Sequence, residues 1–274
     1  MLAHKVFFVS DQTGVTVETL GHSLLEQFEG RAFDTVTVPF VDSVEKARRV
    51  AARIDRAATG DGKRPIVFAS LVQDEVRAVL LQSNGLVLDL FEPYIGRLEA
   101  ELDSRSSHTL RRAHGIDDSA GYNQRIEATN FALTADDGRG GELYDRADII
   151  LVGVSRSGKT PTCLYLALQY GIFAANYPLA GDEFENTSLP HALTAHQSKL
   201  YGLTIEPQRL QSIRRERRAE GSYAAPRQIS FELRAAEALY RRYRIPFIDT
   251  THSSIEEIAS TILAETGFER RVRA

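Results

Sequence analysis

The sequence predicts an α/β fold in two lobes, each built around a mostly parallel sheet. Short apolar runs alternate with helical patterns over residues 1–103, as they do in successive βα units. Residues 104–146 interrupt this alternation with a polar stretch that contains several glycines, and the alternation resumes over 147–274. We therefore expect an N-terminal α/β lobe, a polar connecting segment and a C-terminal α/β lobe with these boundaries.

Four strands and four helices are expected in the N-terminal lobe. Short apolar runs that are rich in β-branched and aromatic residues indicate the strands. They are "KVFFVS" (5–10), "FDTVTVPF" (33–40), "PIVFASL" (65–71) and "GLVLDLF" (85–91). Apolar positions at helical spacing indicate the helices. They are "VTVETLGHSLLEQF" (15–28), "SVEKARRVAARIDRAA" (43–58), "QDEVRAVLLQS" (73–83) and "YIGRLEAEL" (94–102).

The C-terminal lobe shows the same two patterns. Its predicted strands are "ADIILVG" (147–153), "FAANYPL" (173–179), "LYGLTI" (200–205) and "PFIDT" (246–250). Its predicted helices are "TPTCLYLALQYG" (160–171), "PQRLQSIRRERR" (207–218), "RQISFELRAAEALYRRY" (227–243) and "SIEEIASTILAETG" (254–267). One more helical pattern, "YNQRIEATNFAL" (122–133), lies in the connecting segment. No internal repeat is recognisable in the sequence.

Composition excludes several classes of protein. The formal net charge of −4 over 274 residues gives no general attraction to nucleic acid or to a membrane surface. Cys163 is the one cysteine, so an internal disulfide and a cysteine-rich zinc site are excluded. No apolar run approaches the roughly 20 residues of a transmembrane helix. The N-terminal "MLAHKVFFVSD" lacks the layout of a signal peptide, so we expect a cytoplasmic protein.

The octapeptide "GVSRSGKT" (153–160) lies between a predicted strand and a predicted helix. It fits the pattern G-x-x-x-x-G-K-[ST], in which backbone N–H groups of a glycine-containing turn converge on phosphate. Lys159 would supply positive charge to the β- and γ-type phosphates, and the Thr160 hydroxyl would bind Mg²⁺. The predicted nucleotide-binding residues are Gly153, Val154, Ser155, Arg156, Ser157, Gly158, Lys159 and Thr160.

A phosphate loop of this kind also needs an acid that orients the metal. Asp249 is the best candidate in the sequence because it ends the predicted strand "PFIDT", and ligands of open α/β sheets gather at the carboxyl ends of strands. The alternative is that Asp249 only caps a turn or a helix. In the same way, the segment "SDQTG" (10–14), which contains Asp11, forms either a second anion site or an ordinary helix cap by Asp11 or Thr13.

Two further groups of polar residues are candidates for binding or catalysis. The arginine-rich "RLQSIRRERR" (209–218) would clamp phosphate, dock an acidic partner or form a solvated helix face. In the connecting segment, His108 and His114 lie near Asp117, Asp118, Tyr122 and Arg125, and a histidine there could act as a general base for a hydroxyl nucleophile. The alternative is that these histidines have no catalytic role, as is usual for histidines in loops. Cys163 is expected to pack in the core.

Several segments together resemble the pyruvate, phosphate dikinase regulatory protein family, and most of all its proteobacterial branch, which regulates phosphoenolpyruvate synthase. The segment "ADIILVGVSRSGKTPTCLYLALQYGIFAANYPL" carries the strongest likeness. "VSDQTGVTVETLG", "YNQRIEATNFALTADDG", "GLTIEPQRLQSIRRERR" and "STILAET" extend the resemblance over essentially the whole chain.

The resemblance implies a kinase-like C-terminal lobe and a bifunctional enzyme. Such proteins phosphorylate an active-site threonine of phosphoenolpyruvate synthase with ADP as the donor, which inactivates the target. They also remove that phosphate with inorganic phosphate as the acceptor, which releases pyrophosphate. One alternative is the same chemistry with pyruvate, phosphate dikinase as the target. A second is a nucleotide-binding kinase that acts on a small molecule, and a third is an adaptor that binds ADP without transferring phosphate. A homodimer is compatible with the helical faces.

These expectations assign roles to individual residues. Lys159 and Arg156 would stabilise the transferring phosphoryl group, since such transfers depend mainly on positioning and electrostatics. Thr160 and Asp249 would hold Mg²⁺, and either His114 or Asp11 would take the threonine proton. The N-terminal lobe would form one wall of the cleft that binds the target.

Overall fold

A computed structural model describes residues 3–60, 62–107, 119–138, 141–186, 188–217 and 222–268. The chain divides into two compact units, Met1–Ala113 and His114–Ala274, and each contains α/β structure. The two-lobe α/β prediction is therefore confirmed. The three-part division at residues 103 and 146 stays a prediction.

The described residues of the first unit form four strands and four helices. The strands are β1 (His4–Ser10), β2 (Phe33–Val38), β3 (Ile66–Ser70) and β4 (Leu86–Asp89). The helices are α1 (Val15–Leu25), α2 (Val44–Gly60), α3 (Asp74–Leu81) and α4 (Glu92–Leu102). All strand pairs are parallel, in the order β2-β1-β3-β4.

Alternation along β1 divides the core of the first unit between the two faces of the sheet. Val6 and Phe8 pack in the cluster that includes α1, whereas Phe7 and Val9 pack in the cluster that includes α2 and α3. Helix α1 approaches the sheet closely at Gly21, where a β-carbon would lie 2.3 Å from the Phe8 ring. This spacing requires glycine in the middle of a helix, in spite of its low helix propensity.

The second unit contains four parallel strands, seven helices and three short 3₁₀ turns among its described residues. The strands are β5 (Ile149–Gly153), β6 (Ala174–Pro178), β7 (Leu200–Thr204) and β8 (Phe247–Asp249). The helices are α5 (Ser119–Thr134), α6 (Lys159–Tyr170), α7 (Glu183–Asn186), α8 (His191–Thr194), α9 (Pro207–Arg217), α10 (Pro226–Tyr243) and α11 (Ile255–Thr266). The 3₁₀ turns are Gly141–Arg146, Gln197–Lys199 and Ser222–Ala224. The short helices α7 and α8 were not expected from the sequence.

Strand β5 is the buried centre of the second unit. All five of its residues are buried, because helices cover both faces of the sheet. On one face, the Tyr240 hydroxyl of α10 donates hydrogen bonds to the carbonyls of Val152 (2.9 Å) and Leu203 (3.2 Å). Helix α5, which lies within the predicted connecting segment, packs on α6 on the other face.

The two units share a topology that the sequence does not reveal. In each sheet the first strand lies between the second and the third, in the orders β2-β1-β3-β4 and β6-β5-β7-β8. In each unit the helix that follows the first strand begins after a glycine in the left-handed region, Gly14 (φ 86°) or Gly158 (φ 95°). The side chains at these helix starts differ in chemical character, since α1 begins with the apolar Val15 and α6 begins with the basic Lys159.

This topology places the 153–160 loop at a position that favours ligand binding. The chain leaves β5 toward β6 and leaves β7 toward β8, which lie on opposite sides of this pair of strands, so a crevice opens beyond the carboxyl ends of β5 and β7, where open α/β sheets bind ligands. No helix among the described residues is both long enough and apolar enough to span a bilayer.

Candidate functional site

The 153–160 loop links the central strand β5 to helix α6. Its first glycine permits a close approach of backbone and side chains, because a β-carbon on Gly153 would lie 2.7 Å from Ser157 Oγ and 2.8 Å from the Leu203 carbonyl oxygen. Its second glycine, Gly158, precedes α6 in a left-handed conformation and offers no side-chain cap to the first helical turn. The N–H groups of that turn therefore remain available to an anion.

Ser157 carries a polar group that the protein leaves without a partner. The side chain is 1% exposed, and its Oγ has no hydrogen-bond partner among the described residues. The Ser157 carbonyl, in contrast, accepts a 3.2 Å hydrogen bond from Thr250 Oγ1. A buried hydroxyl without a partner is costly in a folded protein, and a ligand in the loop would supply the missing acceptor.

Lys159 is folded into the loop. It is 5% exposed, and its Nζ donates a 2.9 Å hydrogen bond to the Val154 carbonyl oxygen. Burial lowers the pKa of Lys159 to about 8, although the nearby carboxylates of Asp137 and Asp136 oppose the decrease. A phosphate that replaced the Val154 carbonyl would favour the charged ammonium group.

An acid that the sequence analysis missed contacts Thr160. The Thr160 hydroxyl donates a 2.8 Å hydrogen bond to Asp136 Oδ1, and the side-chain amide of Asn176 donates to the same oxygen. Asn176 is fully buried on β6, and its Oδ1 accepts a 3.1 Å hydrogen bond from the Asp137 N–H. The hydroxyl proton is directed to Asp136, and Thr160 Oγ1 accepts a 3.5 Å hydrogen bond from Asn176 Nδ2, so one lone pair of this oxygen remains for a cation.

Asp249 lies elsewhere, at the end of β8. Its Oδ1 accepts hydrogen bonds from the Thr251 N–H (2.8 Å) and from the Thr251 hydroxyl. Among the described residues, Asp249 makes no hydrogen bond to the 153–160 loop. Asp136 escaped the sequence analysis because that search considered acids at strand ends, whereas Asp136 follows helix α5. The adjacent acids of "ADDG", with Asp137 and Gly138 both at positive φ, are the signal that could have found it.

Hard oxygen ligands are the ones that Mg²⁺ prefers, and Thr160 and Asp136 provide them. No group of three or more His, Cys, Asp or Glu side chains is arranged to hold a metal in the part of the chain that the structure describes. The two side chains therefore fit a Mg²⁺ ion that takes its other ligands from phosphate and water, which is its usual behaviour beside nucleotides.

Arginines contribute to the site in two different ways. Arg156 has a φ of 74° and an exposed side chain that forms no ion pair with other described residues. Arg214 of α9 is fully buried and donates to the Ser155 carbonyl oxygen from Nη2 (3.1 Å) and Nε (3.4 Å). The sequence analysis expected the α9 arginines to clamp phosphate, to dock an acidic or phosphorylated partner, or to form a solvated helix face. Arg214 contacts the 153–160 loop itself, whereas Arg209, Arg215 and Arg217 are exposed.

A cavity of about 580 Å³ opens at the carboxyl ends of β7 and β8. Its lining includes Arg209, His252, Ser212, Thr251, Ser253 and Glu206. Arg209 and His252 are exposed and form no ion pair among the described residues. The cavity is next to the 153–160 loop, since Thr250, whose hydroxyl binds the Ser157 carbonyl, directly precedes Thr251.

The remaining predicted residues are not brought together by the described part of the chain. Asp11 follows β1 in the first unit, where its Oδ2 accepts a 2.7 Å hydrogen bond from the Val72 N–H, and burial raises its pKa. His108, His114, Asp117 and Asp118 lie outside the described residues. Cys163 is buried and its thiol donates to the Ala175 carbonyl oxygen, so the prediction that it packs in the core is confirmed.

Comparison with known proteins finds relatives over essentially the whole chain. Residues 6–263 match the protein family described as kinase/pyrophosphorylase. A phosphoenolpyruvate synthase regulatory protein of Pseudomonas fluorescens strain Pf0-1 is 52% identical over 272 residues, which cover 99% of this chain and 100% of the relative. Proteins of the same name from Stutzerimonas stutzeri and Alcanivorax borkumensis are each 53% identical over the same shares of both chains.

Proposed function

The chain belongs to the kinase/pyrophosphorylase family, and from this premise we propose that it regulates phosphoenolpyruvate synthase by moving one phosphoryl group on and off a threonine of that enzyme. In one direction the donor is ADP. In the other, inorganic phosphate is the acceptor and pyrophosphate is released. The observation that carries the proposal is the geometry of the 153–160 loop, in which Lys159 is buried and the Thr160 hydroxyl donates a hydrogen bond to Asp136.

The two reactions balance as phosphoryl transfers between oxygen atoms. In phosphorylation, the threonine Oγ bonds to the β-phosphorus of ADP, the bond from that phosphorus to the bridging oxygen breaks, and AMP leaves while the threonine proton passes to a base. In dephosphorylation, an oxygen of inorganic phosphate bonds to the phosphorus of phosphothreonine and the bond from that phosphorus to the threonine Oγ breaks. Pyrophosphate leaves, and the threonine oxygen regains a proton. Both transfers need donors around the equatorial oxygens more than they need covalent chemistry.

The residues of the 153–160 loop have distinct tasks in this proposal. Lys159 exchanges its bond to the Val154 carbonyl for a bond to phosphate, and Ser157 Oγ gains the acceptor that it lacks. Arg156 extends to the transferring phosphoryl group from the exposed side of the loop. Lys159 and Ser157 are buried at the loop before phosphate binds, so the rearrangement is confined to the bond of Lys159 to Val154 and to the side chain of Arg156.

Thr160 and Asp136 would hold Mg²⁺, with Asp136 taking the place that Asp249 had in the sequence-based prediction. When bound, the ion would neutralise charge on the phosphates. Asn176 donates to Asp136 and thereby keeps its carboxylate directed at Thr160.

We retain Asp11 and His114 as the two predicted bases for the threonine proton. Burial raises the pKa of Asp11, which increases the proton affinity of its carboxylate in the direction that a general base needs. We assign the 580 Å³ cavity to the second substrate, because Arg209 and His252 offer donors to a phosphate.

A transfer assay tests this function. Purified phosphoenolpyruvate synthase, pre-loaded with phosphoenolpyruvate or ATP, would be mixed with the protein and with ADP labelled at the β-phosphate. We expect label on a threonine of the target, and its release as pyrophosphate after phosphate is added. Lys159→Ala should lose both activities by at least about 100-fold, since an essential charge at the phosphates is removed.

Other outcomes of the assay identify the alternatives. Label that comes only from γ-labelled ATP would mean a conventional kinase. Label on pyruvate, phosphate dikinase but not on the synthase would change the target. Binding of ADP without transfer to either protein or to a metabolite would mean an adaptor, and the proposed enzyme activity would then be wrong.

A further inference from the structure

We propose that Arg214 is a positioning residue that fixes the orientation of the Ser155–Arg156 peptide in the 153–160 loop, so that the Arg156 N–H can donate to phosphate. The inference rests on the proposed function, because it takes the ligand of the loop to be a phosphate group. It assigns a role in that site to a side chain on α9, which lies 59 residues beyond Ser155 in the sequence.

The guanidinium of Arg214 is bound on every side. Nη2 and Nε both donate to the Ser155 carbonyl oxygen, at 3.1 Å and 3.4 Å, and Nη1 donates to the Tyr223 carbonyl oxygen at 2.9 Å. Nη2 also forms an ion pair with Glu232 at 2.7 Å. A planar fork with several fixed donors can serve two carbonyls and one carboxylate together, whereas a lysine ammonium cannot match that geometry.

Peptide geometry turns this contact into control of the anion site. The peptide unit is planar and trans, so its carbonyl and its N–H point in opposite directions. Arg214 holds the Ser155 carbonyl toward α9, and the N–H of Arg156 therefore points away from α9. If this peptide flipped, a carbonyl oxygen would replace an N–H donor, and it would repel a phosphate.

The conformation of Arg156 indicates that the loop needs this restraint. Its φ of 74° lies in the left-handed region, which residues other than glycine seldom adopt. Successive N–H groups around such a residue form a concave nest for anions. Strained conformations persist only where the surroundings enforce them, and Arg214 does so at the residue immediately before Arg156.

Tyr223 holds the other end of the same residue. Its hydroxyl lies 2.9 Å from Ser155 Oγ, and its ring lies 4.5 Å from the centre of the Arg214 guanidinium. The backbone and the side chain of Ser155 are thus both held by one cluster of Arg214, Tyr223 and Glu232. Gln228 completes the cluster by donating to the other oxygen of Glu232 at 3.0 Å.

A contribution to stability does not account for this arrangement. Burying a charged pair costs desolvation, and well-packed apolar side chains of similar volume often stabilise a fold equally well or better. What an apolar pair could not do is hold the Ser155 carbonyl away from the anion. The geometry of the cluster is therefore explained by the loop that it restrains.

The inference is tested by measuring the binding of ADP to the protein by calorimetry. Arg214→Met alone would leave the mostly buried Glu232 carboxylate without its cation, so the main variant is Arg214→Met with Glu232→Gln. We expect the Kd for ADP to rise roughly tenfold with unchanged stoichiometry, because one hydrogen bond to an anion is lost from each site. Tyr223→Phe, which removes one hydroxyl, should raise the Kd about twofold to fivefold and covers the case in which the double variant does not fold.

The control is Arg215→Met, an exposed arginine on the same helix, which should leave the Kd unchanged. A merely structural role would lower the number of ADP molecules bound per chain and leave the Kd of the remaining sites as it was. That result, or an unchanged Kd in folded Arg214 and Tyr223 variants, would overturn the inference. If the wild-type protein bound no ADP at all, the proposed function would fail first, and the inference with it.

Discussion

The hydroxyl of Thr160 donates a 2.8 Å hydrogen bond to the carboxylate of Asp136, a residue that precedes it by 24 positions. The contact joins the first turn of α6 to the end of α5, and Asn176 on β6 holds the same carboxylate. Three elements of the second unit thus meet at the hydroxyl that is expected to bind the metal.

Replacing Asp136 should reduce metal-dependent activity. We expect Asp136→Asn to raise the Mg²⁺ concentration for half-maximal transfer about 10- to 100-fold, because an amide cannot accept the Thr160 proton as well as a carboxylate does. Titration of the initial transfer rate with Mg²⁺ measures this effect. Asp249→Asn is the matched control and should change the requirement less than twofold. The reverse pattern would favour Asp249, the acid that the sequence predicts.

The affinity for ADP should depend on pH through Lys159. The pKa of Lys159 is lowered to about 8 in the free protein, and the negative phosphates would raise it in the complex. Below pH 8 the lysine is already charged, so Lys159 adds no pH dependence to the affinity there. Above pH 8 binding must take up a proton, so affinity falls by up to about tenfold per pH unit until the pKa of the complex is reached.

Binding of ADP measured from pH 6.5 to pH 9.5 checks this prediction. Calorimetry near pH 8 in buffers of different ionisation enthalpy should also report the proton uptake. Lys159→Arg keeps the charge throughout this range and should lose the inflection. An inflection at pH 8 that persists in Lys159→Arg would show that another group titrates.

A methyl group at Gly153 should lower the stability of the protein. The added β-carbon would lie 2.7 Å from Ser157 Oγ and 2.8 Å from the Leu203 carbonyl oxygen, and the latter is backbone that cannot move without shifting β7. We expect Gly153→Ala to lower the free energy of unfolding by about 1–3 kcal/mol, as overpacking commonly does. Chemical denaturation measures this change. Gly141→Ala, where nothing lies within 4 Å, should stay within about 0.5 kcal/mol of wild type.

Arg209 in the 580 Å³ cavity should affect the second substrate more than the donor. We expect Arg209→Gln to raise the KM for inorganic phosphate about fivefold to tenfold in the dephosphorylation assay, because a charged hydrogen bond to phosphate is replaced by a neutral one. The KM for ADP should not change. Arg217→Gln, which alters an exposed arginine farther along α9, is the control. Equal effects of the two substitutions would mean a general electrostatic contribution in place of a phosphate site in the cavity.

Much of the fold could be predicted from local patterns. Apolar runs located the eight strands that the described residues form, and helical spacing located the longer helices, because burial on one or two faces leaves a periodic signal in the sequence. The repetition of one topology in both units left no such signal. Different side chains can fill two sheets of the same order, so Val15 and Lys159 begin equivalent helices with no likeness in chemistry.

The sequence alone determined the α/β class and the 153–160 loop, because a strand, a tight turn and a helix start are specified by neighbouring residues. The tertiary structure alone decided which distant groups serve that loop. Asp136 contacts Thr160 because α5 packs on α6, and Arg214 contacts Ser155 because α9 follows the strand next to β5. Both contacts depend on how helices pack on the sheet, and no spacing along the chain encodes the direction in which a side chain then points.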